Sequence, residues 1–123
     1  VEDDTDRALE ELASLGVHPA RWRTPWGDAA PWTSEVAAER GLTLTGWTAD
    51  SHDWRGDAAE RMMAAIAPGV RAGAVVLMHD GLGPGARRRD CLQTLRLLTP
   101  LCAHIHALGL GTALPALAPE RAR

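Results

Sequence analysis

The 123 residues are 46% hydrophobic and 24% charged with a net charge of -3, a balance that gives no electrostatic footprint for nucleic acid or an anionic membrane. No apolar run approaches the roughly 20 residues that a bilayer-spanning helix needs, and the length suits one domain, residues 1–123, with a sizeable core. The chain opens on Val1 rather than Met, so the absence of a signal peptide leaves its location open.

In chain order, Thr5 to Leu15 reads as an amphipathic helix with Ala8, Leu9, Leu12 and Leu15 on one face, Asp4 or Thr5 as its cap and Gly16 as its stop. Asp3-Asp4 reads as acidic charge at that helix start. A short strand near Arg21 to Arg23 runs into a Pro25-Trp26-Gly27 loop. A second helix, Ser34 to Arg40, takes Thr33 as N-cap and ends at Gly41. Leu42 to Trp47 alternates as a strand, and Asp57 to Ala67 is helical with Met62, Met63 and Ile66 on its apolar side.

Ala74 to Met78 is a continuous apolar run, the pattern of a strand covered on both faces. After a Gly/Pro loop at 81–85, a long helix from Arg87 to Leu108 is expected to bend at Pro100. A last strand near Leu110 to Leu114 precedes a Pro/Ala tail. The order is α-β-α-β-α-β-α-β, an α/β pattern that calls for parallel strands. Cys91 and Cys102 fall on one predicted helix, roughly 16 Å apart and too far for a disulfide, and read as two small buried apolar residues.

Chemistry-bearing residues gather where predicted strands end, the edge at which parallel α/β proteins house their sites. The first group is Arg23-Thr24-Pro25-Trp26-Gly27, which offers a forked permanent charge and a turn whose N–H groups can face a pocket; a plain Pro-Gly turn with a surface arginine is the alternative. The second is Asp50-Ser51-His52-Asp53-Trp54, which reads either as part of a site or as a polar turn anchored by Trp54. The third is Val76-Leu77-Met78-His79-Asp80, which places an imidazole at a strand end, suited to general acid or base work or simply to bonding a loop carbonyl. All five tryptophans lie between Trp22 and Trp54, and neither Phe nor Tyr occurs. Heavy use of Ala, Arg and Gly points to a GC-rich bacterial genome. No cluster of His, Asp or Cys has the spacing of a catalytic metal site, and His104 and His106, two residues apart on a helix, do not share a face.

In this order and spacing the three motifs resemble the later motifs of the NodB-type polysaccharide deacetylases, carbohydrate esterase family 4: Arg-x-Pro-aromatic-Gly, Asp-x-x-Asp-Trp and a Leu-x-His-Asp strand end. The resemblance covers essentially the whole chain. It implies an α/β fold that is part of a distorted (β/α) barrel of the polysaccharide deacetylase type, lacking the N-terminal strands. It implies hydrolysis of an N-acetyl group on an amino sugar by a metal-activated water, with peptidoglycan, chitin oligomers, acetylated xylan or a small glycosylated metabolite all admissible. His79 is then the general acid, Asp53 its orienting carboxylate, Arg23 the partner of the base aspartate, and the Trp26 N–H an oxyanion donor. Pro25, Trp54 and Leu77 are then substrate-binding, the last two walling the slot for the acetyl methyl.

The family's Asp-Asp motif and His-x-x-x-His pair, which supply base and metal ligands, have no counterpart in this sequence. The resemblance therefore implies that the divalent metal, zinc by preference, belongs to the complete domain and is not held by this chain alone. It also implies that the partner is the missing N-terminal half or a complementing chain. A closed β/α barrel takes about 200 residues or more, and an open half leaves sheet edges bare. The first expectation is thus the C-terminal catalytic half of a deacetylase, inactive as an isolated segment. The alternatives are a non-catalytic carbohydrate-binding fragment that stacks sugars on its tryptophans and an inert remnant of the fold.

Overall fold

The computed structural model describes residues 2–114, which fall into two compact units, one ending at Gly46 and the other starting at Trp47. In the first unit, α1 (Glu2–Ser14) is followed by β1 (Arg21–Trp22), a 3-10 turn (Pro25–Gly27), α2 (Thr33–Glu39) and β2 (Thr43–Leu44). β1 and β2 are parallel, with Arg21 opposite Thr43 and Trp22 opposite Leu44. The ladder is extended by Thr43 N–H to Ala20 C=O at 3.0 Å and Thr45 N–H to Trp22 C=O at 2.9 Å. A parallel pair needs a crossover connection, and α2 provides it.

Val36, Ala37 and Leu42 are the buried apolar residues described in this unit, with Thr33 buried beside them in sequence. Arg40, following α2, grips Asp6 of α1 with two hydrogen bonds of 2.6 and 2.8 Å and also donates to Val36 C=O at 3.1 Å. The apolar stripe of α1 is only partly covered, with Leu15 76% exposed. Leu9 and Leu12 line a groove of about 720 Å³ together with Trp22, Pro25, Trp26 and Trp32.

The second unit contains β3 (Ala49–Asp50), a 3-10 turn (Asp53–Arg55), α3 (Ala59–Ile66), β4 (Val76–Leu77) and α4 (Leu92–Ala107). β3 and β4 are parallel, Ala49 opposite Val76 and Asp50 opposite Leu77. α3 packs on α4, and the core is Ala49, Ala59, Met62, Ile66, Val70, Leu97 and Leu101, flanked by Met63, Val76, Met78 and Ile105. Each large aliphatic side chain buried there contributes about 1.5–3 kcal/mol, so this cluster anchors both strands that carry the second and third motifs.

Several sequence expectations need correction. α1 begins at Glu2, so neither Asp4 nor Thr5 caps it; Asp3 and Asp4 lie in its first turn, where the helix dipole favours acids. Thr33 is the first residue of α2 rather than its cap, and its hydroxyl accepts the Ala30 N–H at 2.8 Å. The strand expected over Leu42 to Trp47 is two short strands, because 43–44 pair with β1 whereas 49–50 pair with β4.

β4 is half-buried instead of covered on both faces, having one strand neighbour. The expected helix start at Arg87 falls instead at Leu92: the N–H groups of Arg87 and Arg88 bond to Trp54 C=O, which holds the chain out of helix, and Asp90 Oδ1 accepts the Leu92 N–H at 2.9 Å. α4 continues through Pro100. Residues 110–114 form no strand. Cys91 therefore precedes α4 and is half-buried, and Cys102 is exposed; both are free thiols. No helix of the described residues is long and apolar enough to cross a membrane.

Candidate active site

The second unit brings Asp53 and His79 into contact beyond the ends of β3 and β4, with Leu77 on β4 and Trp54 next to Asp53 in the chain. Leaving β3, Asp50 accepts the His52 N–H at 2.8 Å in a tight turn that puts His52 at φ 52°, an uncommon conformation outside glycine. Buried Ser51 then donates its hydroxyl to Leu77 C=O at 2.8 Å and accepts the Asp53 N–H at 3.3 Å. These bonds, with Ser51 N–H to Leu77 C=O at 3.2 Å, tie the turn to β4 and aim Asp53 inward.

Asp53 is 1% exposed and fully engaged. Its Oδ1 lies 2.7 Å from His79 Nδ1, while Oδ2 accepts the His79 backbone N–H at 2.9 Å, Arg88 Nη1 at 2.7 Å and Thr94 Oγ1 at 2.9 Å. Burial by itself pushes this carboxyl up. The bonds from the His79 ring and backbone and from Thr94, with the Arg88 charge, outweigh it and hold the group below the ordinary value of 3.8. An ionised carboxylate only accepts, so the proton between the pair sits on Nδ1. The His79 side chain is 43% exposed, and Nε2 is the ring nitrogen that Asp53 leaves unengaged.

Trp54 lies beside this pair in sequence. The guanidinium carbons of Arg55 and Arg87 sit over its indole at 5.1 and 5.6 Å, and the His52 ring stacks at 6.4 Å. Its carbonyl accepts the N–H groups of Arg87 at 2.8 Å and Arg88 at 3.3 Å. Gly56 at φ 84° closes the turn, and a Cβ there would meet Arg88 at 3.4 Å.

Arg23, Pro25 and Trp26 belong to the first unit. Arg23 donates to the carbonyls of Thr45 at 3.3 Å and Gly46 at 3.5 Å. The turn that follows is closed by Gly27 N–H to Thr24 C=O at 3.0 Å and Asp28 N–H to Pro25 C=O at 3.1 Å. Trp26 occupies the left-handed region at φ 54° with its side chain in the open, the residue being 79% exposed. A bulky residue held there carries a cost of order 1–3 kcal/mol, which marks the loop as a place where backbone direction matters more than comfort.

Three members of the network escape the motif reading. Ser51 is a serine among polar loop residues, Thr94 sits on a helix, and Arg88 is the middle of an Arg-Arg-Arg run that resembles a solvated charge patch. Only the strand-end position of Ser51 and Arg88's lying beyond the His79 loop could have hinted at them. As for a metal, no group of three or more His, Cys, Asp or Glu side chains gathers among the described residues. The donors present here do not fit a catalytic divalent ion, which takes three protein ligands and an open position.

No family model matches the sequence. The chain is 34% identical over 101 residues to a chitooligosaccharide deacetylase from Bradyrhizobium sp. (strain ANU 289), covering 74% of this chain and 44% of that protein. To the chitooligosaccharide deacetylase of Rhizobium leguminosarum bv. phaseoli it is 32% identical over 117 residues, 93% of this chain and 46% of the relative. Among solved structures, a family 4 carbohydrate esterase from Streptomyces lividans in complex with acetate superposes with a TM-score of 0.73 at 27% identity, over 97% of this chain and 60% of that one. The chain thus spans less than half the length of these curated relatives. Fold and motifs define a partial deacetylase-type α/β domain. The chain belongs to the NodB-homology polysaccharide deacetylases, carbohydrate esterase family 4, and matches the C-terminal portion of their domain.

Proposed function

We propose that this chain supplies the acid side of a carbohydrate deacetylase that removes N-acetyl groups from amino sugars. The observation that carries the reading is the 2.7 Å contact between His79 Nδ1 and a buried, ionised Asp53. That carboxylate orients the ring and stabilises the imidazolium. The imidazolium gives its Nε2 proton to the departing amine nitrogen as the C–N bond breaks, and the amine leaves neutral. Trp54 and Leu77 wall the slot for the acetyl methyl. Arg23, Pro25 and Trp26 keep the roles implied by the resemblance: partner of the base aspartate, substrate-binding residue and oxyanion donor. The base and a divalent ion, zinc in this reading, are contributions from outside these 123 residues, either an N-terminal half or a complementing chain.

The test joins this chain to the N-terminal part of the Rhizobium leguminosarum deacetylase it resembles and follows free amine release from an N-acetylglucosamine oligomer. Turnover is expected from the chimera and not from the 123 residues with Zn²⁺ alone. His79→Ala in the chimera is expected to lower kcat by about 10²–10⁴-fold with little change in KM, since the acid acts in the transition state. A turnover rate indifferent to His79→Ala, or robust turnover by the isolated chain, overturns the assignment.

A further inference from the structure

Arg88 is a cation buried against Asp53, its side chain only 4% exposed, and the motifs do not account for it. Its two terminal nitrogens divide between the two halves of the dyad. Nη1 bonds Asp53 Oδ2 at 2.7 Å and the Thr94 hydroxyl; Nη2 bonds the carbonyls of His79 at 2.9 Å and Gly81 at 2.8 Å. One planar fork therefore holds both the carboxylate and the main chain that carries the imidazole, which a lysine could not do.

The distribution of donors on Asp53 has a further effect. Oδ2 takes three donors, from Arg88, Thr94 and the His79 backbone, whereas Oδ1 receives the ring alone. Rotating the carboxylate would break all three bonds to Oδ2, so Oδ1 stays aimed at Nδ1. The arrangement is retained although Arg88 Nε is buried with no hydrogen-bond partner among the described residues.

We propose that Arg88 is the positioning residue of the acid: it locks Asp53 and the backbone of His79 in register, so that the imidazole keeps its proton on Nδ1 and presents Nε2 to the substrate. The inference rests on reading His79 as the acid, but its first test does not need turnover. Long-range nitrogen NMR on the 123-residue chain, at a pH where the ring is neutral, reports the His79 tautomer directly. The native chain is expected to show a single Nδ1–H form. Arg88→Ala should relax it toward the mixture of a free imidazole, and Arg88→Lys, which keeps the charge but not the fork, should fall between.

In the chimera, Arg88→Ala is expected to lower kcat roughly ten- to a hundredfold, short of the 10²–10⁴ assigned to the acid itself, with KM nearly unmoved. A folded Arg88→Ala chain that keeps the pure Nδ1–H signature overturns the proposal. If that variant does not fold, Arg88→Lys and Thr94→Val decide it, and a native tautomer in both overturns it. A chimera with no turnover but a tautomer that responds to Arg88 would sink the deacetylase reading and leave the positioning role standing.

Discussion

Each unit ties distant parts of its chain together through an aspartate–arginine pair, and the two pairs, Asp6–Arg40 and Asp53–Arg88, differ in almost everything but their chemistry. Asp6–Arg40 in the first unit is a bidentate fork between α1 and the residue that follows α2, with the aspartate side chain 49% and the arginine 14% exposed. Asp53–Arg88 in the second has both side chains nearly sealed from water and shares its atoms with His79 and Thr94. Both carboxyls are held below their ordinary value. For Asp6 the hydrogen bond from Arg40 is the main cause, whereas Asp53 must first overcome its own burial. The half-exposed pair is a fastener whose strength water and salt dilute on the aspartate's side. The buried pair is an arrangement in which every partner is fixed by the others, and that is the condition for holding a reactive ring in one orientation.

The comparison can be broken most directly by removing the two arginines in turn. Arg88→Ala takes the guanidinium from a carboxylate sealed in the core, leaving it only the His79 and Thr94 donors, and is expected to cost about 3–5 kcal/mol, read as a lowered urea midpoint. Next is acid. A carboxyl with a depressed folded value binds fewer protons folded than unfolded, so its stabilisation is fully present above the ordinary 3.8 and is lost as pH falls through the folded value. Unfolding followed from neutral pH downward should therefore show stability falling below that point, and Asp53→Asn should flatten the fall. If the slope survives Asp53→Asn, the buried pair is not its source. The smallest effect is Arg40→Ala: a slight loss that shrinks further as salt is raised, measured by thermal unfolding at two ionic strengths. A large salt-independent loss would erase the distinction between the two pairs.

Much of the architecture was legible because helices announce themselves by periodicity and by their stops. α1, α2 and α3 lie within a few residues of where the apolar spacing puts them. The strands were harder, because a strand of two residues is defined by its partner and not by its own composition. Nothing in the run from Leu42 to Asp50 says that its first part pairs with Arg21–Trp22 and its last with Val76–Leu77. The terminal strand expected at Leu110–Leu114 failed for the same reason: an alternating pattern with no strand to pair with is only a pattern.

In the site, Asp53 and His79 stood out by their motif positions. Arg88 did not, because three consecutive arginines look alike in sequence, and only the turn imposed by the Trp54 carbonyl turns the middle one inward. Asp90 shows the converse: its bond to the Leu92 N–H starts the helix where a generic helix-forming stretch would have begun earlier.

That Trp54 carbonyl has an implication for how such a site can drift over generations. The groups it receives from positions 87 and 88 are amides of the main chain, so the fastening is blind to whichever side chain stands at 87. Any residue but proline can occupy that place while its neighbour remains turned toward Asp53, so a change at 87 strips a cation from the face of the Trp54 indole and leaves the fastening beneath it intact.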